Sequence, residues 1–207
     1  MRTMVAVPAQ DQVAVQFAES LATLQIEGEG KVAFFVGSLV YESRNSLVKK
    51  ALAMDADYIL WIDSDMVFEP DLQKRLLADI KETGADMVTA LCFRRRPPFT
   101  PCLFKKAGVK DGVGYHEEYP DYPKDSLFEI EGCGFGAVMM KTDLLLDIAA
   151  QSGNWFEPFG QFGEDIAFCV RMRQAGGRIF ADSRVKVGHV GHMIVTESMY
   201  DAIKAER

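Results

Sequence analysis

Long apolar runs are missing: no stretch of this 207-residue chain approaches the roughly 18 consecutive apolar residues of a membrane-spanning helix. The N-terminus also lacks a charged segment followed by an apolar core, so neither insertion nor signal-directed export is expected. Basic charge is in deficit, with 23 Lys and Arg against 30 Asp and Glu and a net charge of −7. A broad nucleic-acid surface is therefore disfavoured, because such surfaces work by Lys and Arg displacing counterions from phosphates. A phosphate bound here would need a metal ion beside it. Cysteine is sparse and scattered: Cys92, Cys102, Cys133 and Cys169 form no CxxC pair. Cys92 and Cys169 lie in apolar contexts typical of reduced core thiols, which fits a reducing cytoplasm. Internal repeats and low-complexity tracts are absent as well.

What is present describes one ordinary domain: 48% hydrophobic and 26% charged residues suffice for a sizeable core, and two full domains would be cramped. Short β-rich runs alternate with segments of helical period, the pattern of βα units around a largely parallel sheet, so the fold class is α/β. "TMVAVPA" reads as a first strand stopped by Pro8. A helix follows, with Val13, Phe17, Leu21 and Leu24 at helical spacing. "KVAFFVG" is a second strand, and Leu47, Val48, Ala51 and Leu52 mark one face of the next helix. "DYILWI" is a third strand ending at Asp63; Pro70 opens a helix running to about Thr83, and "ADMVTALCF" is a fourth strand. From Arg94 to Tyr122 proline, glycine and charge break every run, which predicts an irregular excursion with short strands. "FEIEGCGFGAVMMKTDLL" returns to strand, glycine turn, strand and helix, and "EDIAFCVRMRQAGG" is a helix closed by glycine. A last strand, "RVKVGHVGH", precedes a charged C-terminal helix.

The third strand poses the central question, because its apolar climb, "YILWIDSDMVF", stops on Asp63 and Asp65 with Ser64 between them. In open α/β sheets ligands bind beyond the carboxyl ends of the strands, where these acids sit. Two carboxylates without a nearby base repel each other unless a divalent cation neutralises them. The alternative is that both cap the turn before Pro70, a common structural use of Asp. Glu164 and Asp165 occupy a first helical turn, where the helix dipole favours anions; Gly163 before them lets the backbone approach a ligand, and an acid there can take a proton from an acceptor hydroxyl. Of the three histidines, His116 lies in the excursion, while His189 and His192 flank the last strand's end, where an imidazole can complete a metal sphere begun by a carboxylate. Arg44 and Asn45 stand near a helix start after strand two, where a cation can pair with a diphosphate or a base edge. The "RRRPP" run, Arg94 to Pro98, reads first as a solvated loop and second as a source of guanidinium for a phosphate or an anionic acceptor.

In combination these segments resemble the glycosyltransferases of the GT-A fold, with motifs similar to family-2-like enzymes and polypeptide N-acetylgalactosaminyltransferases. The matching residues are "WIDSDMVF", "GFGAVMMKTDLL", "FGEDIAFCVRMRQAGG" and "VKVGHVGH", in family order and spread over Val5 to His192. The resemblance implies a Rossmann-like, mostly parallel central sheet with flanking helices. It implies a single domain over residues 1–207, with 1–93 the nucleotide-binding half and 94–207 the acceptor and sugar-binding half. By the same resemblance, Asp65 coordinates Mn²⁺ or Mg²⁺ directly, and Asp63 contacts the ribose or sugar and supports the metal through water. Ser64 is a spacer in the nucleotide-sugar segment. His189 is the preferred further metal ligand and His192 its alternative. Asp165, then Glu164, touches the acceptor or serves as general base. Pro8, Ala9 and Gln10 hold the nucleotide base, Gly134 belongs to a turn that approaches the donor sugar, and Glu131 binds sugar hydroxyls. The expected activity is metal-dependent transfer of a sugar from a nucleotide-diphosphate sugar to an acceptor hydroxyl, the acceptor being a carbohydrate, a protein or a small molecule. Two alternatives stay open. A sugar-1-phosphate nucleotidyltransferase would carry a glycine-rich loop after strand one, where "VPAQDQ" has no glycine; a non-catalytic nucleotide-sugar or carbohydrate-binding module would dispense with the base, which "GED" retains.

Overall fold

A computed structural model describes residues 1–191. His192 and the expected C-terminal helix lie outside the described residues. The elements in chain order are β1 (Arg2–Ala9), α1 (Val15–Thr23), β2 (Glu29–Val36), α2 (Val40–Ala53), β3 (Tyr58–Ile62), β4 (Met66–Val67), α3 (Leu72–Thr83), β5 (Met87–Leu91), β6 (Leu103–Lys110), β7 (Val113–Glu118), β8 (Leu127–Ile130), β9 (Gly132–Cys133), β10 (Ala137–Lys141), α4 (Leu145–Ser152), α5 (Glu164–Gln174), β11 (Ile179–Lys186) and β12 (Gly188–His189). Seven strands form one sheet in the order β2-β1-β3-β10-β5-β11-β8. β1 is parallel to β2 and β3, and β5 to β11; β10 and β8 run antiparallel to their neighbours. The α/β class and the mostly parallel sheet are as expected.

The sequence of β3 explains the layering. Its residues alternate between two cores, with Ile59 and Trp61 in one and Leu60 and Ile62 in the other. An apolar run without polar alternation therefore means that both faces of the sheet are covered. Leu47, Val48 and Ala51 of α2, Leu145 and Ile148 of α4, and Phe168 and Met172 of α5 close the Trp61 side. Phe17 of α1 and Leu72, Leu76, Leu77 and Ile80 of α3 close the other. Each fully buried side chain of this kind contributes roughly 1.5–3 kcal/mol. Aromatic contacts tighten the first core: Trp61 meets Phe156 edge-on at 5.2 Å, and Phe156 stacks on Phe168 at 4.4 Å. Gly84, at φ +70°, ends α3 in the left-handed conformation with its N–H on the Ile80 carbonyl.

The structure departs from the sequence reading in four places. Pro8 does not stop β1, which pairs with β2 through Ala9; pairing with β3 ends at Ala6, so Pro8 lies beyond the doubly paired segment. Val13 precedes α1 and is exposed, the helix starting at Val15. The excursion contains a regular hairpin, β6 paired with β7, closed by Asp111 and Gly112 at φ +52° and +78°. That is the Asp-Gly turn that matches the twist of paired strands. Finally, the last strand breaks at Val187: β11 joins the main sheet, whereas β12 leaves it to pair with β4. Among the described residues no helix is long and apolar enough to cross a membrane.

Candidate functional site

Asp63 follows β3, two residues beyond Trp61, and meets the same helical layer. Arg44 of α2 donates through Nη2 to Asp63 Oδ1 at 2.9 Å, and its Nε lies 3.6 Å from Glu164 Oε1 at the start of α5. The Arg44 side chain is 3% exposed and is surrounded by the rings of Phe135, Phe156 and Trp61 at 4.9, 5.7 and 5.9 Å. A buried guanidinium of this kind requires its carboxylates, because removing one partner strands a charge in low dielectric. Burial pushes the Asp63 carboxyl up to about 6 against the pull of Arg44.

Asp65 is positioned by a different device. The β4–β12 ladder pairs His189 with Met66, and the Val190 N–H donates to the Asp65 carbonyl at 2.8 Å. His189 Nε2 thereby comes 3.2 Å from Asp65 Oδ2, while its Nδ1 lies 2.8 Å from the Phe93 carbonyl. The Phe93 carbonyl can only accept, so Nδ1 donates to it and Nε2 is turned to Asp65, where it donates to the carboxylate when the ring is protonated and presents its lone pair when the ring is neutral. Arg95 donates to the same Asp65 oxygen at 2.6 Å. Burial works against the Asp65 carboxylate, but His189 and Arg95 outweigh it and hold it below the ordinary range; the His189 imidazole is raised in turn by its contact with Asp65.

These groups border one cavity of about 870 Å³ at the carboxyl ends of β1, β2 and β3, within the size range of small-molecule sites. Pro8, Ala9, Gln10, Arg44, Asp63, Ser64, Asp65, Glu164 and His189 all line it, together with Arg95. Asp165 sits half-buried next to Glu164, with Oδ1 accepting from the Ile166 N–H at 2.7 Å. Burial, reinforced by the Glu164 charge, raises its carboxyl above the usual range, which suits a proton acceptor. Gly134 passes close by: a Cβ there would lie 3.8 Å from Asp165 Oδ2.

Some expected residues are employed elsewhere. Asn45 is buried and accepts from the Phe156 N–H at 2.9 Å, pinning the segment before α5 rather than lining the cavity. Glu131 accepts from Lys106, Arg173 and the Ala107 N–H at 3.0, 3.1 and 3.0 Å, a structural use that ties β6 to α5 and occupies the oxygens a sugar would need. Arg44 is spent on Asp63 and Glu164 and not offered as a free cation. His116 packs between the rings of Phe104 and Phe162. The arginine run is no simply solvated loop: Arg94 pairs with Glu118 at 2.6 Å and Arg95 reaches Asp65. Sequence reasoning offered this run as a second-choice source of guanidinium but did not single out Arg95 or foresee that its partner is Asp65.

The carboxylate oxygen and imidazole nitrogen on one rim are donors that suit a divalent cation, which would take the place Arg95 now holds on Asp65. Among the described residues no three His, Cys, Asp or Glu side chains converge as a ready cage. A cation at this rim could draw two protein ligands, Asp65 and His189, with the rest of its sphere falling to ligand oxygens and water, as is common for Mg²⁺-type sites.

Comparison with known proteins fits this geometry. The family model described as Anp1 matches residues 38–101, less than half of the chain but including Arg44, Asp63, Asp65 and Arg95. No curated protein sequence matches the chain. The crystal structure of A197 from STIV aligns with a TM-score of 0.61 at 21% identity, covering 95% of this chain and 97% of that one. GalNAc-T7, crystallised with UDP, GalNAc and Mn²⁺, aligns at 0.62 and 11% identity over 93% of this chain. TarS residues 1–349 from S. aureus, in complex with UDP-GlcNAc, aligns at 0.57 and 15% identity over 96%. The chain spans 43% and 61% of those last two structures. With the sheet order, the flanking helices and these alignments together, the chain has the GT-A fold of glycosyltransferases.

Proposed function

We propose that the chain is a metal-dependent glycosyltransferase that moves a sugar from a nucleotide-diphosphate donor to an acceptor hydroxyl. The observation that carries this reading is the meeting of Asp65 and His189, separated by 124 positions in sequence, at 3.2 Å on the rim of the cavity beyond β3. Asp65 and His189 hold Mn²⁺ or Mg²⁺, and Asp63 contacts the ribose or reaches the metal through water. When bound, the metal offsets the charge developing on the departing diphosphate. Pro8, Ala9 and Gln10 receive the base, and Gly134 lets the donor sugar approach the backbone. Asp165 takes the proton from the acceptor hydroxyl as it attacks the anomeric carbon, with Glu164 beside it contacting the acceptor. Residues 1–93 form the nucleotide half and 94–207 complete the acceptor side. The UDP and UDP-GlcNAc named for GalNAc-T7 and TarS support a UDP-sugar as the first donor to try.

The test is incubation with UDP-sugars with and without Mn²⁺, together with an acceptor panel of carbohydrates, peptides and water. Release of UDP that depends on Mn²⁺ is the expected result. Release of pyrophosphate from nucleoside triphosphate and sugar phosphate would instead identify a nucleotidyltransferase, and binding without turnover a binding module.

A further inference from the structure

Two thiols lie under the site. Cys92 directly follows β5 and Cys102 directly precedes β6. Phe93 bridges Pro101 in antiparallel fashion, with the Cys102 N–H donating to the Cys92 carbonyl at 3.0 Å and the Arg94 N–H to the Thr100 carbonyl at 2.9 Å. That pattern sets Cys92 opposite Cys102 with one of the two bonds of a hydrogen-bonded pair, the Cys102 carbonyl accepting instead from the Gly134 N–H at 2.9 Å; Cα atoms in a full pair of this kind lie about 5.5 Å apart. The spacing is the one commonest across a disulfide. Opposed residues also project to the same face of the pair. Here that face abuts the glycine turn: a Cβ at Gly136 would come 3.1 Å from Cys92 Sγ, and one at Gly134 would come 3.1 Å from Cys102 Cβ. A side chain at either glycine would crowd the two thiols. Cys92 is 3% exposed, whereas Cys102 is only partly covered.

We infer that Cys92 and Cys102 are a thiol–disulfide pair whose oxidation fastens the 93–101 loop over Asp65. Cys102, the reachable thiol, gives up its proton and attacks a small-molecule disulfide such as oxidised glutathione, releasing one thiol. Cys92 then displaces the second from the mixed disulfide, so two protein thiols are oxidised and one small disulfide is reduced to two thiols. The contact with Cys92 lowers the Cys102 thiol, helped by His189 and Arg94, while the same contact and burial push Cys92 up. This is the division expected of an attacking and a resolving thiol. Cys133 and Cys169 provide an internal contrast: both are 0% exposed and have no route to a reagent.

The loop closed by this pair carries Arg95, which binds Asp65, and the Phe93 carbonyl, which holds His189 against it. The Phe93 carbonyl lies 2.8 Å from His189 Nδ1, and Arg95 donates to Asp65 Oδ2 at 2.6 Å. A cation arriving at Asp65 must displace Arg95, and a cross-link at the base of the loop removes freedom needed for that movement. This consequence rests on the metal reading of Asp65; the thiol chemistry does not.

The experiment treats the full chain with oxidised glutathione, maps disulfides by mass spectrometry after alkylation, and titrates Mn²⁺ into the oxidised and reduced forms. The expected result is a Cys92–Cys102 disulfide, with Cys133 and Cys169 alkylated only after unfolding. Mn²⁺ binding should be weakened roughly tenfold, restored by dithiothreitol, and insensitive to the oxidant in Cys102→Ser. Four free thiols, a glutathione adduct on Cys102 alone, or a Cys133–Cys169 bond would overturn the pairing. A mapped Cys92–Cys102 bond with unchanged Mn²⁺ affinity would overturn the coupling to the loop. If the reduced chain binds no Mn²⁺, the metal reading fails while the disulfide map still decides the thiol pair.

Discussion

The guanidinium of Arg44, 3% exposed, stands between Asp63 at 2.9 Å and Glu164 at 3.6 Å and so joins the end of β3 to the start of α5. One buried cation thereby sets the relative positions of the two acidic segments proposed for donor and acceptor. Its Nε and Nη1 have no hydrogen-bond partner in the structure, so the aromatic cage and the two carboxylates are its whole support.

Arg44→Met, which keeps most of the volume against Phe135 and Phe156, should lower stability by about 3 kcal/mol, the scale for breaking a buried pair from one side. Urea denaturation measures it. Wild-type stability in this variant would show that the carboxylates are solvated enough to do without the cation.

Asp165→Asn separates binding from chemistry. The substitution keeps an oxygen for the Ile166 N–H and leaves Asp65 and His189 untouched, so UDP binding in the presence of Mn²⁺ should stay near the wild-type level. Transfer should fall by roughly 100-fold or more, as for loss of a positioned base. Undiminished turnover would remove Asp165 from the mechanism.

Stability should depend on pH through Asp79, which does not line the cavity. This carboxyl is 4% exposed, shares Arg184 with Asp182, and is pushed up to about 7 by burial and the neighbouring Asp182. Its folded-state value lies above the ordinary 3.8, so its contribution is fully present below that value and is lost as pH rises towards 7. Asp182 is held low by Arg184 and acts only below about 4, outside that window. Asp63, raised to about 6, declines over the same range, so Asp79→Asn should make the fall in urea midpoint between roughly pH 4.5 and 7.5 shallower without abolishing it. An unchanged slope would show that Asp79 ionises freely in the folded chain.

Local chemistry in the sequence carried much of the fold. The unbroken apolar run of β3 announced a strand covered on both faces, and its end placed Asp63 and Asp65 beyond the sheet. Long-range pairing was less legible. Nothing near "GAVMM" indicates that β10 inserts antiparallel between β3 and β5, because strand order is a property of the whole sheet. The β6–β7 hairpin was legible in "KDGV", but the surrounding proline and charge obscured it. Side-chain direction accounts for most site differences: adjacent on α2, Arg44 turns to Asp63 and Asn45 to Phe156, a choice made by tertiary contacts and not by spacing. Arg95 and the opposed cysteines became visible only once the ends of β5 and β6 were brought together.

The central claim is that Asp65 and His189 together hold a divalent cation for a nucleoside diphosphate. Calorimetric titration of UDP with Mn²⁺ into the wild type, Asp65→Ala and His189→Ala tests it most directly. UDP should bind the wild type only with Mn²⁺ present, each substitution should weaken that binding by at least about tenfold, or about 1.4 kcal/mol, and thermal stability should change little because neither side chain belongs to the apolar core. Equal UDP affinity in all three proteins, with or without Mn²⁺, would contradict the claim.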